Sequence, residues 1–374
     1  MWEYIQPVRI IFGNGAIKGL ANILSDMNLD KGVIVTDSFF AENGIADEMA
    51  AKTEGVINGI FSEIEENPTT KNVDNCAVFL REKNAQFVVA LGGGSALDCA
   101  KAACTTALTG EPIAKYHGTG IPLPKKHLPL IAVPTTSGTG TEVTSVSVLT
   151  NRELGKKLPL ASDNFYPDLA IVDPELTYTV PPKITAITGM DVLAHALEGF
   201  WSKKHQPICD ALAVHAAKLV FEYLPSAYSN QRDIIAKEKM SEASLMAGLA
   251  FSLPKTTASH ACSFPLTNDY NIPHGQACAL TLDYFTKVNS EVERVKDLAK
   301  MLGFKDACEM ADKVAGLRRE LGLDVNNLSL SKEQIDELVT TSIQHPNMLN
   351  SPVEVTRGML EDLFNRLFSK NERG

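Results

Sequence analysis

The feature that most constrains the fold is a change of periodicity at Pro181-Pro182. Before it, short continuous apolar runs at residues 8–12, 32–36, 87–91, 130–133 and 169–172 read as buried strands. Stretches with helical spacing, at 16–27, 71–84 and 95–108, alternate with them. That alternation builds βαβ units and a mainly parallel sheet. After Pro182 the β-branched runs nearly vanish and long helical patterns such as 210–223 and 291–302 take over. The expected fold class is therefore α/β plus α: an N-terminal Rossmann-like parallel-sheet domain over 1–181 and an all-helical C-terminal domain over 182–374. A chain of 374 residues is long enough to bury two cores.

Composition narrows the function. With 44% hydrophobic and 21% charged residues the chain is that of a soluble globular protein. A formal charge of −10 repels polyanions, which excludes nucleic acid and an anionic membrane surface as partners. No run approaches the ~20 apolar residues that span a bilayer, and Met1-Trp2-Glu3-Tyr4 lacks the basic and apolar regions of a signal peptide. Seven cysteines with no C-x-x-C pair read as reduced buried thiols, so the expected address is cytoplasmic.

The first half carries two loops suited to phosphate. The run 87–91 leads into Gly92-Gly93-Gly94-Ser95, which opens a helix bearing Asp98 and Lys101. Glycines let backbone N–H groups approach a pyrophosphate, and the helix N-terminus adds a favourable dipole. Alone, the same residues read as a tight turn with Ser95 as cap. A second loop, Pro134-Thr135-Thr136-Ser137-Gly138-Thr139-Gly140-Thr141-Glu142, follows another strand with more hydroxyls than a surface turn needs. Asp37 ends an earlier strand, where a carboxylate can bind a ribose and repel a 2′-phosphate, favouring NAD(H) over NADP(H). The plainer reading is that Asp37 caps a turn.

The second half carries metal-ligand types. Asp191 and His195 stand four apart on a helical segment, so carboxylate and imidazole can meet one ion, although such a pair is also an ordinary helix contact. His260 and His274 follow, the latter between Pro273 and Gly275. The four make an oxygen and nitrogen set suited to Fe²⁺ or Zn²⁺, with Mn²⁺ as a further candidate and a position open for substrate. His260 and His274 are the expected catalytic residues. The other histidines, His117, His127, His205, His215 and His345, show no ligand spacing and read as surface or core groups.

These segments, with Ala170-Ile171-Val172-Asp173-Pro174 and the 191–198 helix, resemble the iron-containing (group III) alcohol dehydrogenase family over nearly the whole chain. The resemblance implies the dehydroquinate synthase-like fold, an Asp plus three His metal site, a homodimer, and NAD(H). It assigns the cofactor phosphates to Gly93, Gly94, Ser95, Thr135 and Thr136, and adds Lys157 as a cofactor contact; Asp98 and Thr139 belong to the same expected site.

Two departures mark this chain. Most members carry a histidine four residues after the third ligand, where this chain has Phe264, which leaves protonation to water or a cofactor ribose hydroxyl. Upstream, Pro254-Lys255-Thr256-Thr257 replaces a small neutral stretch, and a cation beside hydroxyls can seat an anionic group. That pattern resembles the phosphonoacetaldehyde and sulfoacetaldehyde reductase branch. Lys255, Thr256 and Phe264 are the expected substrate contacts, for sulfoacetaldehyde going to isethionate or phosphonoacetaldehyde to 2-hydroxyethylphosphonate. A general dehydrogenase of short alcohols or diols is the alternative, with Lys255 an exposed loop lysine. A non-catalytic NAD- or metal-binding protein is a remote third.

Overall fold

The computed structural model describes residues 2–369. It divides into two compact units, one from Ile5 to Thr179, the other from Val180 onward together with the N-terminal residues through Tyr4.

The first unit runs β1 (Arg9–Phe12), α1 (Leu20–Asp26), β2 (Gly32–Thr36), α2 (Ser38–Glu42), α3 (Ile45–Ala51), β3 (Ile57–Phe61), α4 (Thr70–Glu82), β4 (Phe87–Gly92), α5 (Gly94–Thr106), β5 (Leu130–Pro134), β6 (Val146–Asn151), β7 (Lys156–Ala161) and β8 (Leu169–Val172). Six strands form one parallel sheet in the order β1-β8-β5-β4-β2-β3. Both faces are covered, which is why β2, β4 and β5 are buried at every position and read as unbroken apolar runs. The pleat sorts their side chains by parity. Val33, Val35, Val88 and Ala90 pack with α4 and α5, whereas Ile34, Val89, Leu91 and Ile131 pack with α1 and α3. All five expected strands are present. β3 and the antiparallel hairpin β6–β7 were not read from the sequence.

The second unit is helical: α6 (Pro182–Trp201), α7 (Pro207–Ser229), α8 (Ile234–Phe251), α9 (Ala258–Tyr270), α10 (His274–Val288), α11 (Glu293–Met301), α12 (Ala307–Glu320), α13 (Lys332–Ile343) and α14 (Arg357–Phe368). Pro182 sits at the first helical turn of α6, where its missing N–H costs nothing. α6 is buried along most of its length, on its polar face as well as its apolar ones, so it forms the centre of the unit. Its side chains join those of α7, α8, α10 and α12 in one core, while α9, α10, α13 and α14 enclose a second. Among the described residues no helix is long and apolar enough to cross a membrane.

One close approach sets the position of α10. A Cβ on Gly275 would lie 2.1 Å from the Ile187 carbonyl oxygen and 3.0 Å from Asp191 Cβ, so only glycine lets this helix start against α6. Gly316 on α12, by contrast, has nothing nearer than 4.0 Å to such a Cβ. Gly275→Ala is expected to lower unfolding stability by about 1–3 kcal/mol through forced displacement of backbone. Gly316→Ala should leave it unchanged or raise it by up to about 1 kcal/mol through helix propensity. Denaturant melts of the two variants check the contrast.

Candidate functional site

In the helical unit, three elements converge. α6 supplies Asp191 and His195 one turn apart, α9 supplies His260, and α10 supplies His274 at its first residue. Asp191 Oδ1 lies 3.9 Å from His195 Nε2, 3.6 Å from His260 Nε2 and 3.9 Å from His274 Nε2. These are spacings of ligands around a common centre, too long for direct hydrogen bonds. Burial alone would push the Asp191 carboxyl up, but His195, His260 and His274 outweigh it and hold the group well below the usual carboxylate range.

The outer hydrogen bonds decide which nitrogens face the centre. His260 Nδ1 donates to Glu198 Oε2, so the proton is on Nδ1 and Nε2 presents its lone pair. Ser263 Oγ donates to the His260 carbonyl at 2.8 Å and therefore accepts from His274 Nδ1 at 3.2 Å, which likewise turns His274 Nε2 inward. His195 is held by stacking, 4.0 Å from the Phe251 ring and 4.6 Å from that of His260. Asp191 Oδ1 and His260 Nε2 are buried without a hydrogen-bond partner. Two orphaned buried polar atoms are costly, and a divalent cation satisfies both at once. The residues fit the ion that the Asp and His set implies.

Glu198 was not read as a functional residue, yet it organises the site. It is fully buried, and its Oε1 accepts the backbone N–H groups of Thr257 at 3.1 Å and Ser259 at 2.8 Å. These are donors at the start of α9 that no helical carbonyl can serve. The Thr257 hydroxyl also donates to Oε1 and accepts from Trp201 Nε1 at 3.0 Å. The signal was present in the spacing: Asp191, His195 and Glu198 stand at i, i+4 and i+7, on one helical face. Cys278 was read only as a buried thiol. Its Sγ instead joins Asp191, His260 and His274 in a group whose donor atoms all lie within 4.8 Å of one another, one turn after His274 on α10. A thiol here adds a softer donor, which suits Zn²⁺ better than an all-oxygen-and-nitrogen set does.

The expected substrate residues lie in the same unit, and of the three Phe264 is in ring contact with a ligand. Lys255 has φ of 65°, in the left-handed region that side chains other than glycine seldom adopt, and its Nζ donates to the Ser252 carbonyl at 2.6 Å. Thr256 is buried, and its Oγ1 accepts from Asn347 Nδ2 at 2.8 Å. The Phe264 ring packs 5.8 Å from that of His274 and stacks 4.5 Å from that of His345. His345, set aside as a surface or core group, thus belongs to the site's surroundings.

In the sheet unit, Asp37, Gly93, Gly94, Ser95, Thr135, Thr136 and Thr139 follow the carboxyl ends of three adjacent strands, β2, β4 and β5, where open α/β sheets bind ligands, whereas Asp98 lies within α5 and Lys157 on β7. The two loops run side by side, with Thr135 N–H donating to the Gly92 carbonyl at 3.0 Å. A Cβ on Gly94 would meet Thr139 Cγ2 at 2.9 Å, and one on Gly93 would meet Thr136 Oγ1 at 3.4 Å. Gly93 is the N-cap of α5. Asp37 caps α2 through Oδ1, and burial raises its carboxyl above the ordinary value. Ser95 Oγ accepts from Asn67 N–H at 3.2 Å, and Asn67 Oδ1 accepts from Lys157 Nζ at 2.7 Å, so Asn67 links two expected contacts. Asp98 is a brace: its oxygens accept from the Thr141 hydroxyl at 2.7 Å and Val148 N–H at 2.9 Å. The fully buried Lys101 ties the same loop through Thr141 Oγ1 and the carbonyls of Thr144 and Val146.

Residues 7–174 match the family model described as iron-containing alcohol dehydrogenase, and residues 185–368 match that of the C-terminal part of the Fe-containing alcohol dehydrogenase family. The crystal structure of sulfoacetaldehyde reductase from Bifidobacterium kashiwanohense in complex with NAD+ is 54% identical, with a TM-score of 0.96 over 99% of this chain and 100% of that one. The sulfoacetaldehyde reductase of Bilophila wadsworthia is 32% identical over 92% of each chain. A 1-propanol dehydrogenase of Salmonella typhimurium is 40% identical over 72% of this chain and 71% of its own.

Because Glu198 fixes the His260 tautomer, Glu198→Gln is expected to weaken divalent-metal binding by about 10–100-fold. Competition against a chromophoric chelator reads this directly, and near-UV circular dichroism shows whether the fold survives.

Proposed function

This chain belongs to the iron-containing alcohol dehydrogenase family, and we propose that it works there as a metal-dependent, NADH-linked reductase of a short aldehyde bearing an anionic head, converting sulfoacetaldehyde to isethionate. The observation that carries the substrate class is the 54% identity to a sulfoacetaldehyde reductase over 99% of this chain. Phosphonoacetaldehyde, with a head of similar shape, is the second anionic candidate. The likeness to a 1-propanol dehydrogenase at 40% identity supports a competing reading as a general short-chain alcohol dehydrogenase.

When bound, a divalent cation supplies Lewis acidity for the carbonyl and NADH supplies the hydride. Asp191, His195, His260 and His274 hold the cation, with Glu198 and Ser263 fixing two imidazoles so that they need no reorientation. Phe251, stacked on His195, covers that side with apolar surface. Backbone N–H groups of Gly93, Gly94 and Ser95 at the start of α5, with the Thr135 and Thr136 hydroxyls, bind the cofactor phosphates. Asp37 binds the adenosine ribose and disfavours a 2′-phosphate, hence NAD(H). Lys255 and Thr256 hold the far end of a two-carbon substrate, which fixes the carbonyl end by the shortness of the molecule.

The test is NADH oxidation by chelated and metal-restored enzyme across sulfoacetaldehyde, phosphonoacetaldehyde and propanal. The expected result is metal-dependent turnover with the highest kcat/KM on sulfoacetaldehyde, and Lys255→Ala should raise KM for that substrate far more than for propanal. Equal efficiency on the charged and neutral aldehydes is the result that favours the general dehydrogenase.

A further inference from the structure

The rings around the metal site form a continuous ribbon. Phe251, His195, His260 and His274 follow one another at centroid separations of 4.0, 4.6 and 5.3 Å; Phe264 lies 5.8 Å from His274, and His345 4.5 Å beyond it at an interplanar angle of 16°. The ligands along the ribbon differ in exposure. The side chains of Asp191, His195 and His260 are only 5–6% exposed, whereas that of His274 is 32% exposed. His274 is thus the most exposed of the four ligands, and Phe264 and His345 lie on its side of the ribbon.

His345 is held in a defined state there. It precedes the 3-10 turn Pro346–Asn350, and its Nδ1 accepts the Asn347 backbone N–H at 3.2 Å. Burial, and then the nearby His260, lower its pKa to about 4, so at neutral pH the ring is uncharged and its single proton is on Nε2. Nε2 has no hydrogen-bond partner among the described residues. The same turn is tied to the segment before α9, because Asn347 Nδ2 donates to Thr256 Oγ1 at 2.8 Å and Asn350 Nδ2 donates to the Thr256 carbonyl at 3.0 Å. Thr256 Oγ1 is thus an acceptor already, and its own hydroxyl proton is uncommitted. His345 Nε2–H at the head of the turn and the Thr256 hydroxyl on the segment tied to it are thus two donors joined through Asn347.

We infer that His345 is a substrate-specificity residue, whose Nε2–H, with the Thr256 hydroxyl, hydrogen-bonds the oxyanion at the end of the substrate remote from the carbonyl. The inference rests on the anionic-aldehyde reading above and adds a residue to it. A sulfonate or phosphonate carries three acceptor oxygens in a tetrahedral spread, which one ammonium cannot satisfy alone. Neutral donors complete the set without placing another positive charge beside the metal. An aldehyde with a methyl group at that end has nothing for them to bind, and seating it leaves both donors desolvated and unpaired.

Two variants separate the donor from the ring. His345→Phe keeps the stack on Phe264 and removes Nε2–H, while His345→Gln keeps an N–H and loses the stack. The expected result is that His345→Phe raises KM for sulfoacetaldehyde roughly 10- to 150-fold more than KM for propanal, the range of a lost hydrogen bond to a charged group. His345→Gln should recover part of that discrimination. Calorimetric titration of isethionate into the NAD⁺ complex should show the same loss of affinity in His345→Phe, independent of turnover. Equal KM changes on both aldehydes, a fall in kcat on both, or no change overturns the assignment of His345. If wild-type enzyme does not discriminate between the two aldehydes, the substrate class fails and the inference with it. If wild type prefers sulfoacetaldehyde and His345→Phe prefers it equally, His345 alone is overturned.

Discussion

The helical unit turns on one buried carboxylate. Glu198 is fully enclosed, and an isolated charge in that position would cost several kcal/mol. It is tolerated because its two oxygens accept from four donors: two backbone N–H groups at the start of α9, the Thr257 hydroxyl and the His260 imidazole. Those N–H groups are themselves orphans of a helix start, so two burial problems offset each other. Trp201 extends the network back to α6 through Thr257, and Ser202 holds the same segment by donating to the Pro254 carbonyl at 2.7 Å. The helix that carries Asp191 and His195 is thereby locked to the one that carries His260.

What that lock holds in place is a site in local conflict. Asp191 Oδ1 is buried, has no hydrogen-bond partner and is surrounded by three imidazole nitrogens at 3.6–3.9 Å. Such an arrangement wastes stability in a protein without a ligand and preorganises one with it. Gly275 contributes by letting α10 begin in contact with Asp191, which brings in His274 and, one turn on, Cys278. The sheet unit solves a similar problem differently. Lys101 and Asp98 are spent on fixing the hydroxyl-rich loop, which leaves Thr135, Thr136 and Thr139 set against the glycines of its neighbour.

Much of this was legible in the sequence where one element carries the information. β2, β4 and β5 were readable because burial on both faces demands unbroken apolar runs. β3 was not, because Asn58-Gly59 interrupts its pattern at an edge of the sheet, and Lys156-Lys157 and Pro159 obscure the hairpin strand β7. Asp191 and His195 could be paired by helical spacing, and the same spacing would have given Glu198 had a second-layer carboxylate been sought. His260 and His274 meet them only through tertiary packing, so their joining rested on ligand type and on family resemblance, not on spacing. Cys278 and His345 carried no local signal. Their places follow from where α10 starts and from a turn pinned across 91 residues of sequence by Asn347 and Thr256. Asp98, expected at the cofactor site, braces the hydroxyl-rich loop, a role that spacing beside a glycine turn does not distinguish from touching a ligand.

The central claim is that Asp191, His195, His260 and His274 enclose one divalent ion whose histidines are oriented by Glu198 and Ser263. Crystals of metal-loaded protein, with anomalous diffraction collected on both sides of the metal's absorption edge, test it most directly. The expected result is a single anomalous peak about 2.0–2.2 Å from Asp191 Oδ1 and from the Nε2 atoms of all three histidines. A peak bound through the Nδ1 atoms, or one away from Asp191, would contradict it.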